Sequence, residues 1–174
     1  MLSFLRREGV SEDIVAGIEA FRAEHRVSPE AEHRLTQKPR YEYYGKEVWE
    51  AAATALLCGE NLLLVGPKAT GKNVLAECLA CAFGRPSWDV SFYINTDAAS
   101  LIGTDTFTGG EVSFRQGPIT KCAKLGGFGI LVLCWPVAQF LPDMAQYGLL
   151  IYIYVLMSCM RTLCTQFVRS RQWN

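Results

Sequence analysis

The apolar residues of this chain change their period several times, and each change marks an element. Behind Ser11, Glu12 and Asp13, a polar cap followed by acids that suit a helix N-terminus, Ile14, Ile18 and Phe21 recur at helical spacing. Ser28-Pro29-Glu30 starts a second helix with proline in its first turn, and Lys38-Pro39 stops it. Residues 1–40 therefore read as a small helical arm with a narrow apolar stripe. From Gly45 the pattern becomes denser. Lys46 to Cys58 is a helix carrying Trp49, Ala53 and Leu56 on one face, and Gly59 ends it. Asn61 to Val65 is a short unbroken apolar run, which predicts a strand buried on both faces. Asn73 to Phe83 is helical again, burying Val74, Leu75, Cys78, Leu79 and Ala82.

Further along, Asp89 to Ile94 is a second strand. Phe107-Thr108 and Glu111 to Phe114 flank Gly109-Gly110, a two-residue hairpin signal. Pro118 to Lys124 is a short helix closed by Gly126-Gly127, and Phe128 to Leu133 is a third strand. Strands alternating with helices predict an α/β fold, a parallel sheet flanked by helices.

Composition narrows the function classes without choosing among them. Seventeen basic residues balance seventeen acidic ones in 174 residues, so no whole-chain field draws the protein to nucleic acid or to an anionic membrane. The opening MLSFLRREGV lacks an apolar signal core, which predicts a cytoplasmic protein whose seven cysteines stay reduced.

The chemistry lies in Gly66-Pro67-Lys68-Ala69-Thr70-Gly71-Lys72-Asn73, a phosphate-loop pattern between a strand and a helix. The two glycines let the backbone wrap an anion, so that successive N–H groups form a nest for phosphate oxygens. The helix that follows adds the positive end of its dipole. Lys72 is the residue expected to act on the reacting phosphates, as a mobile ammonium against the outer ones. The eighth position, usually Ser or Thr bound to Mg²⁺, is Asn73, whose amide oxygen is the candidate metal ligand. Nucleotide binding is expected to survive this exchange with altered metal affinity.

Tyr44-Gly45-Lys46-Glu47-Val48-Trp49, the run Asn61 to Pro67, the loop itself and Val74-Leu75-Ala76-Glu77 together resemble an AAA+ ATPase of the MoxR-like, dynein-related branch. Leu101-Ile102-Gly103, the Gly-Gly hairpin and Phe114 to Ile119 resemble the insert hairpin of that branch. The resemblance spans about residues 41–133 and implies the N-terminal half of a P-loop NTPase core. It implies ATP and Mg²⁺ as ligands, with Gly66 to Asn73 and Val74 around the phosphates and Tyr44, Gly45 and Tyr43 toward the base. It also implies ATP hydrolysis coupled to remodelling of protein partners by ring-shaped homo-oligomers.

The family pattern then stops. Its Walker B strand ends in an Asp-Glu pair, whereas Phe128 to Leu133 runs into Cys134-Trp135. No polar sensor, arginine finger or helical lid follows, which predicts ATP binding without efficient hydrolysis. Residues 131–174 carry only four charges, Asp143, Arg161, Arg169 and Arg171, and Tyr147 to Met160 is almost wholly apolar. Three readings compete for residues 131–174. One is a disrupted gene end foreign to the family. Another is a membrane hairpin, with about 17 residues on each side of Asp143, the lower limit for spanning. The third is a divergent helix and strand belonging to the core. Two alternatives to an ATPase follow: a nucleotide-dependent interaction module that does not hydrolyse, and a protein attached to membrane by its C-terminal segment.

Other constellations read as structural. Cys78 and Cys81 have metal-like spacing but lie inside an apolar helix. His25 and His33 sit among charged residues and are expected on solvated faces. Asp97 and Asp105 are carboxylates near the insert that could approach the phosphates, though their spacing says little.

Overall fold

The computed structural model describes residues 1–67, 69–92, 96–133 and 152–157. Lys68, Tyr93, Ile94, Cys134, Trp135 and Asp143 lie outside them.

The arm forms α1 (Leu2–Glu8), α2 (Glu12–Glu24) and a 3₁₀ turn (Pro29–Arg34). Ser11 precedes α2 as expected, but its hydroxyl makes no capping bond; its backbone N–H donates to Glu50 Oε1 at 2.9 Å instead. That bond ties the arm to α3 (Lys46–Leu57). Val15 and Ile18 are fully buried, and with Phe4, Leu5 and Val10 they join the same core cluster as Trp49, Leu56, Leu79, Phe83 and Phe128. The arm thus covers one side of the body. His25, expected on a solvated face, is half-buried and stacks on the Phe21 ring with centroids 4.1 Å apart. His33 is exposed.

The remaining elements follow the predicted order, except for a short helix between the second strand and the hairpin that the pattern does not predict. They are β1 (Leu62–Leu64), α4 (Lys72–Phe83), β2 (Ser87–Phe92), α5 (Ala98–Ile102), β3 (Gly103–Thr108), β4 (Glu111–Gln116), α6 (Pro118–Leu125) and β5 (Phe128–Leu133). β3 and β4 form a hairpin whose turn is Gly109-Gly110, both at positive φ (65° and 90°), as a two-residue turn of this hand requires. β2 and β5 pair in parallel from Ser87–Phe128 to Phe92–Leu133.

The sheet order is β1-β6-β5-β2, where β6 is Tyr152–Met157. β6 runs antiparallel to both neighbours, so β1, β5 and β2 share one direction and the sheet is mixed. The described part of the apolar tail is therefore a strand. Among the described residues no helix is long and apolar enough to cross a membrane. β1 departs from its expected burial on both faces. Leu62 and Leu64 pack against the core, while Leu63 and Val65 are 57% and 50% exposed. The reason is that one face of β1, carrying Leu62 and Leu64, meets the core beside α3, while the face carrying Leu63 is not covered by the described residues.

Candidate functional site

β1 delivers the chain to Gly66 at one end of the sheet, and α4 begins six residues later at Lys72. The turn between them is tight. Gly71, at φ 78°, caps the helix in the left-handed region, and Ala69 is also left-handed at φ 66°. A non-glycine residue costs about 1 kcal/mol or more there, so the loop is held in shape by its surroundings.

Lys72 closes the loop on itself. Its Nζ donates to Gly66 O at 2.7 Å, to Pro67 O, and to Thr70 Oγ1 at 2.9 Å. Thr70 Oγ1 in turn donates to Pro67 O at 3.0 Å. A methyl group on Gly66 would point at Thr70 Oγ1 (3.7 Å) and Lys72 Nζ (3.9 Å), so the absent side chain leaves the space in front of the ammonium open. Lys72 is only 9% exposed, and desolvation lowers its pKa from the ordinary lysine value. All three of its partners are neutral oxygens, and none of the ion pairs among the described residues includes it. A buried cation without a counter-charge is costly, and an anion entering the loop would relieve that cost. The 12-residue helix α4 aims its N-terminus at the same place.

The other expected residues divide. Pro67, Ala69, Thr70 and Asn73 are exposed along the loop and the first turn of α4, whereas Val74 is half-buried against the core. Asn73 is thus open to a metal arriving with phosphate. Among the described residues no group of three or more His, Cys, Asp or Glu side chains forms a metal cage. Gly45 caps α3, and its N–H donates to Glu8 Oε1 at 3.0 Å. Tyr44 is 68% exposed and meets Phe4 of α1 edge-on, with centroids 5.4 Å apart. Tyr43, its neighbour, lies on Gly71. That contact spans 28 positions and leaves no local periodicity to reveal it.

The structural readings of the remaining groups agree with their surroundings. Cys78 and Cys81 are buried free thiols that donate to Tyr41 O (3.1 Å) and Gln37 O (3.5 Å). Burial pushes the Cys78 thiol up to about 11. Asp97 caps α5 by accepting from Ser100 N at 2.8 Å, and that bond lowers its pKa. Asp105 sits on exposed β3 opposite Phe114.

Residues 61–133, which hold β1, the loop and everything through β5, match the AAA domain of the dynein-related subfamily. Over these residues the chain is similar to the AAA+ family, in agreement with the MoxR-like, dynein-related resemblance of its motifs. Relatives agree with that placement. The uncharacterized protein YojN of Bacillus subtilis (strain 168) is 33% identical over 132 residues, covering 74% of this chain and 43% of YojN. Protein NorQ of Paracoccus denitrificans is 37% identical over 90 residues, 51% of this chain and 32% of NorQ. The von Willebrand factor A domain-containing protein 8 of Mus musculus is 32% identical over 79 residues, 45% of this chain and 4% of that protein. The chain therefore spans less than half the length of each of these relatives. The matched residues are similar to a domain type of nucleotide-binding ATPases.

Proposed function

We propose that this AAA+ chain binds ATP with Mg²⁺ at Gly66 to Asn73 and hydrolyses it poorly. The observation that carries the reading is the buried ammonium of Lys72, whose partners among the described residues are all neutral oxygens. In this reading the triphosphate takes over hydrogen bonds that Lys72 now makes to Gly66 O, Pro67 O and Thr70 Oγ1. Exchanging neutral carbonyls for phosphate oxygens adds attraction between opposite charges to hydrogen bonds whose donor is already charged. Asn73 is the residue of this chain that would touch the metal. The bound Mg²⁺ would neutralise phosphate charge, and the protein's own part is to hold the phosphates and keep Lys72 desolvated beside them.

Weak hydrolysis follows from chemistry at the end of β5. Cys134 and Trp135 replace an acidic pair, and neither side chain activates water or holds a metal through water as carboxylates do. A protein partner and assembly with further copies of the chain complete the proposal, both by analogy with the AAA+ family. Titration with a fluorescent ATP analogue, beside a phosphate-release assay, tests the central claim. Saturable binding abolished in Lys72→Ala, with turnover far below one per second, is the expected result. Equal binding by wild type and Lys72→Ala would remove the loop from the account. Turnover above about one per second would overturn the claim about hydrolysis.

A further inference from the structure

The segment before α3 is laid along α4 like a strap. Cys81 Sγ donates to Gln37 O at 3.5 Å, Glu77 Oε1 accepts from Arg40 N at 3.1 Å, and Cys78 Sγ donates to Tyr41 O at 3.1 Å. From Gln37 to Tyr43 the partner position moves from Cys81 back to Gly71, the N-cap of α4, so the strap runs antiparallel to the helix overall and ends at its N-terminus. There Tyr43 sits. A methyl group on Gly71 would lie 3.3 Å from Tyr43 Cε2 and 3.4 Å from Cδ2, and one on Gly45 would lie 3.4 Å from Cε1. The ring is therefore lodged between two glycines, one closing the phosphate loop and one opening α3. The other end of the residue is pinned as well, since Trp49 Nε1 donates to Tyr43 O at 2.8 Å and Trp49 is fully buried.

We propose that Tyr43 is the positioning residue of the phosphate loop: its ring holds Gly71 in the left-handed conformation from which Lys72 turns back over Gly66 and Pro67. This deepens the nucleotide-binding proposal and rests on it. The ring contributes through the loop's shape, so its effect falls on the phosphates and not on the base. An adenine-stacking tyrosine would have the opposite signature. Glycine is needed at position 71 for two reasons, its φ of 78° and the ring pressed against its Cα.

Calorimetric titration of the full chain with ATP and with inorganic tripolyphosphate separates these cases. Tyr43→Leu, which keeps apolar bulk but loses the flat ring, is expected to weaken both ligands by the same factor, roughly tenfold or more. Tyr43→Phe is expected to stay within about twofold of wild type for both, since it keeps the ring. A nuclear Overhauser contact between the Tyr43 ring and Gly71 Hα is expected in wild type, free and with tripolyphosphate bound. That measurement needs no variant. Unchanged affinities in Tyr43→Leu would overturn the proposal. So would a loss confined to ATP with tripolyphosphate unaffected, which would make Tyr43 a base contact, or disappearance of the Overhauser contact on binding. Failure of the wild-type chain to bind either polyphosphate would instead refute the phosphate-loop reading beneath it.

Discussion

In the proposed site, the chemistry is concentrated in one side chain, Lys72. Its ammonium is buried, its pKa is lowered by desolvation, and its partners are neutral. Affinity for a triphosphate depends on the charged form. Because the pKa of the free protein lies below the ordinary lysine value, tripolyphosphate binding is expected to weaken with rising pH before a normal lysine, near 10.4, would titrate. Titrations between pH 7 and 10 check this; an affinity flat to pH 10 would contradict it. The cysteines make a second residue-scale prediction. Cys58 is exposed, whereas Cys78 and Cys122 are buried and their thiols are pushed up to about 11 and about 12. Thiolates are the reactive species, so an alkylating reagent at pH 8 should label Cys58 of the native chain and spare the other two. Peptide mass spectrometry after brief labelling reads this directly.

At the scale of elements, α4 is the member on which the site depends. Its N-terminus is the loop, its flank carries the strap, and its C-terminus is capped by Gly84 at φ 60°. A methyl group there would come within 2.9 Å of Arg22 Nε on α2. Gly84→Ala is expected to destabilise the protein by about 1–2 kcal/mol, from the left-handed backbone alone. Urea unfolding measures the shift, and ATP affinity below the transition should be unchanged because the cap is at the far end of the helix. The hairpin and most helices were legible in the sequence because their signals are local. Gly109-Gly110 can adopt positive φ freely, and Trp49, Ala53 and Leu56 share a face at helical spacing. The exposure of Leu63 was not legible. An unbroken apolar run looks alike whether one face of its strand is covered or both, and only what packs on each face tells them apart.

On the scale of the whole molecule, β6 joins the sheet. It lies between β1 and β5 and pairs with both, Tyr154 facing Leu63 on one side and Leu131 on the other. Tyr154→Pro removes a backbone donor from a strand with two neighbours, a position that proline does not tolerate. Loss of soluble, cooperatively unfolding protein is the expected result, judged by gel filtration and circular dichroism. A stable, monomeric variant would show that the sheet does not need this strand. A further prediction concerns pH. In the folded chain Cys122 stays protonated to about 12, whereas in the unfolded chain an ordinary thiol ionises near 8.5. The unfolded state therefore binds fewer protons over that window, and stability falls as pH rises through it. Lys72 acts in the opposite sense. The contribution of Cys122 is isolated by comparison with Cys122→Ala, whose denaturation midpoint should fall less steeply between pH 8 and 10.

By itself the sequence determined the α/β class, the order of most elements through β5 and the tight loop between β1 and α4. Each of these rests on spacing or conformational freedom within a few residues. It also carried the change after Leu133, since Cys134-Trp135 can be read without coordinates. Tertiary structure alone decided that Tyr43 and not Tyr44 lies against the loop, that the 37–43 strap runs along α4, and that a strand from the apolar tail enters the sheet antiparallel to its neighbours. Those contacts join residues dozens of positions apart. They are selected by which apolar faces and unpaired backbone groups remain to be covered once the local elements exist, and no local periodicity encodes that choice.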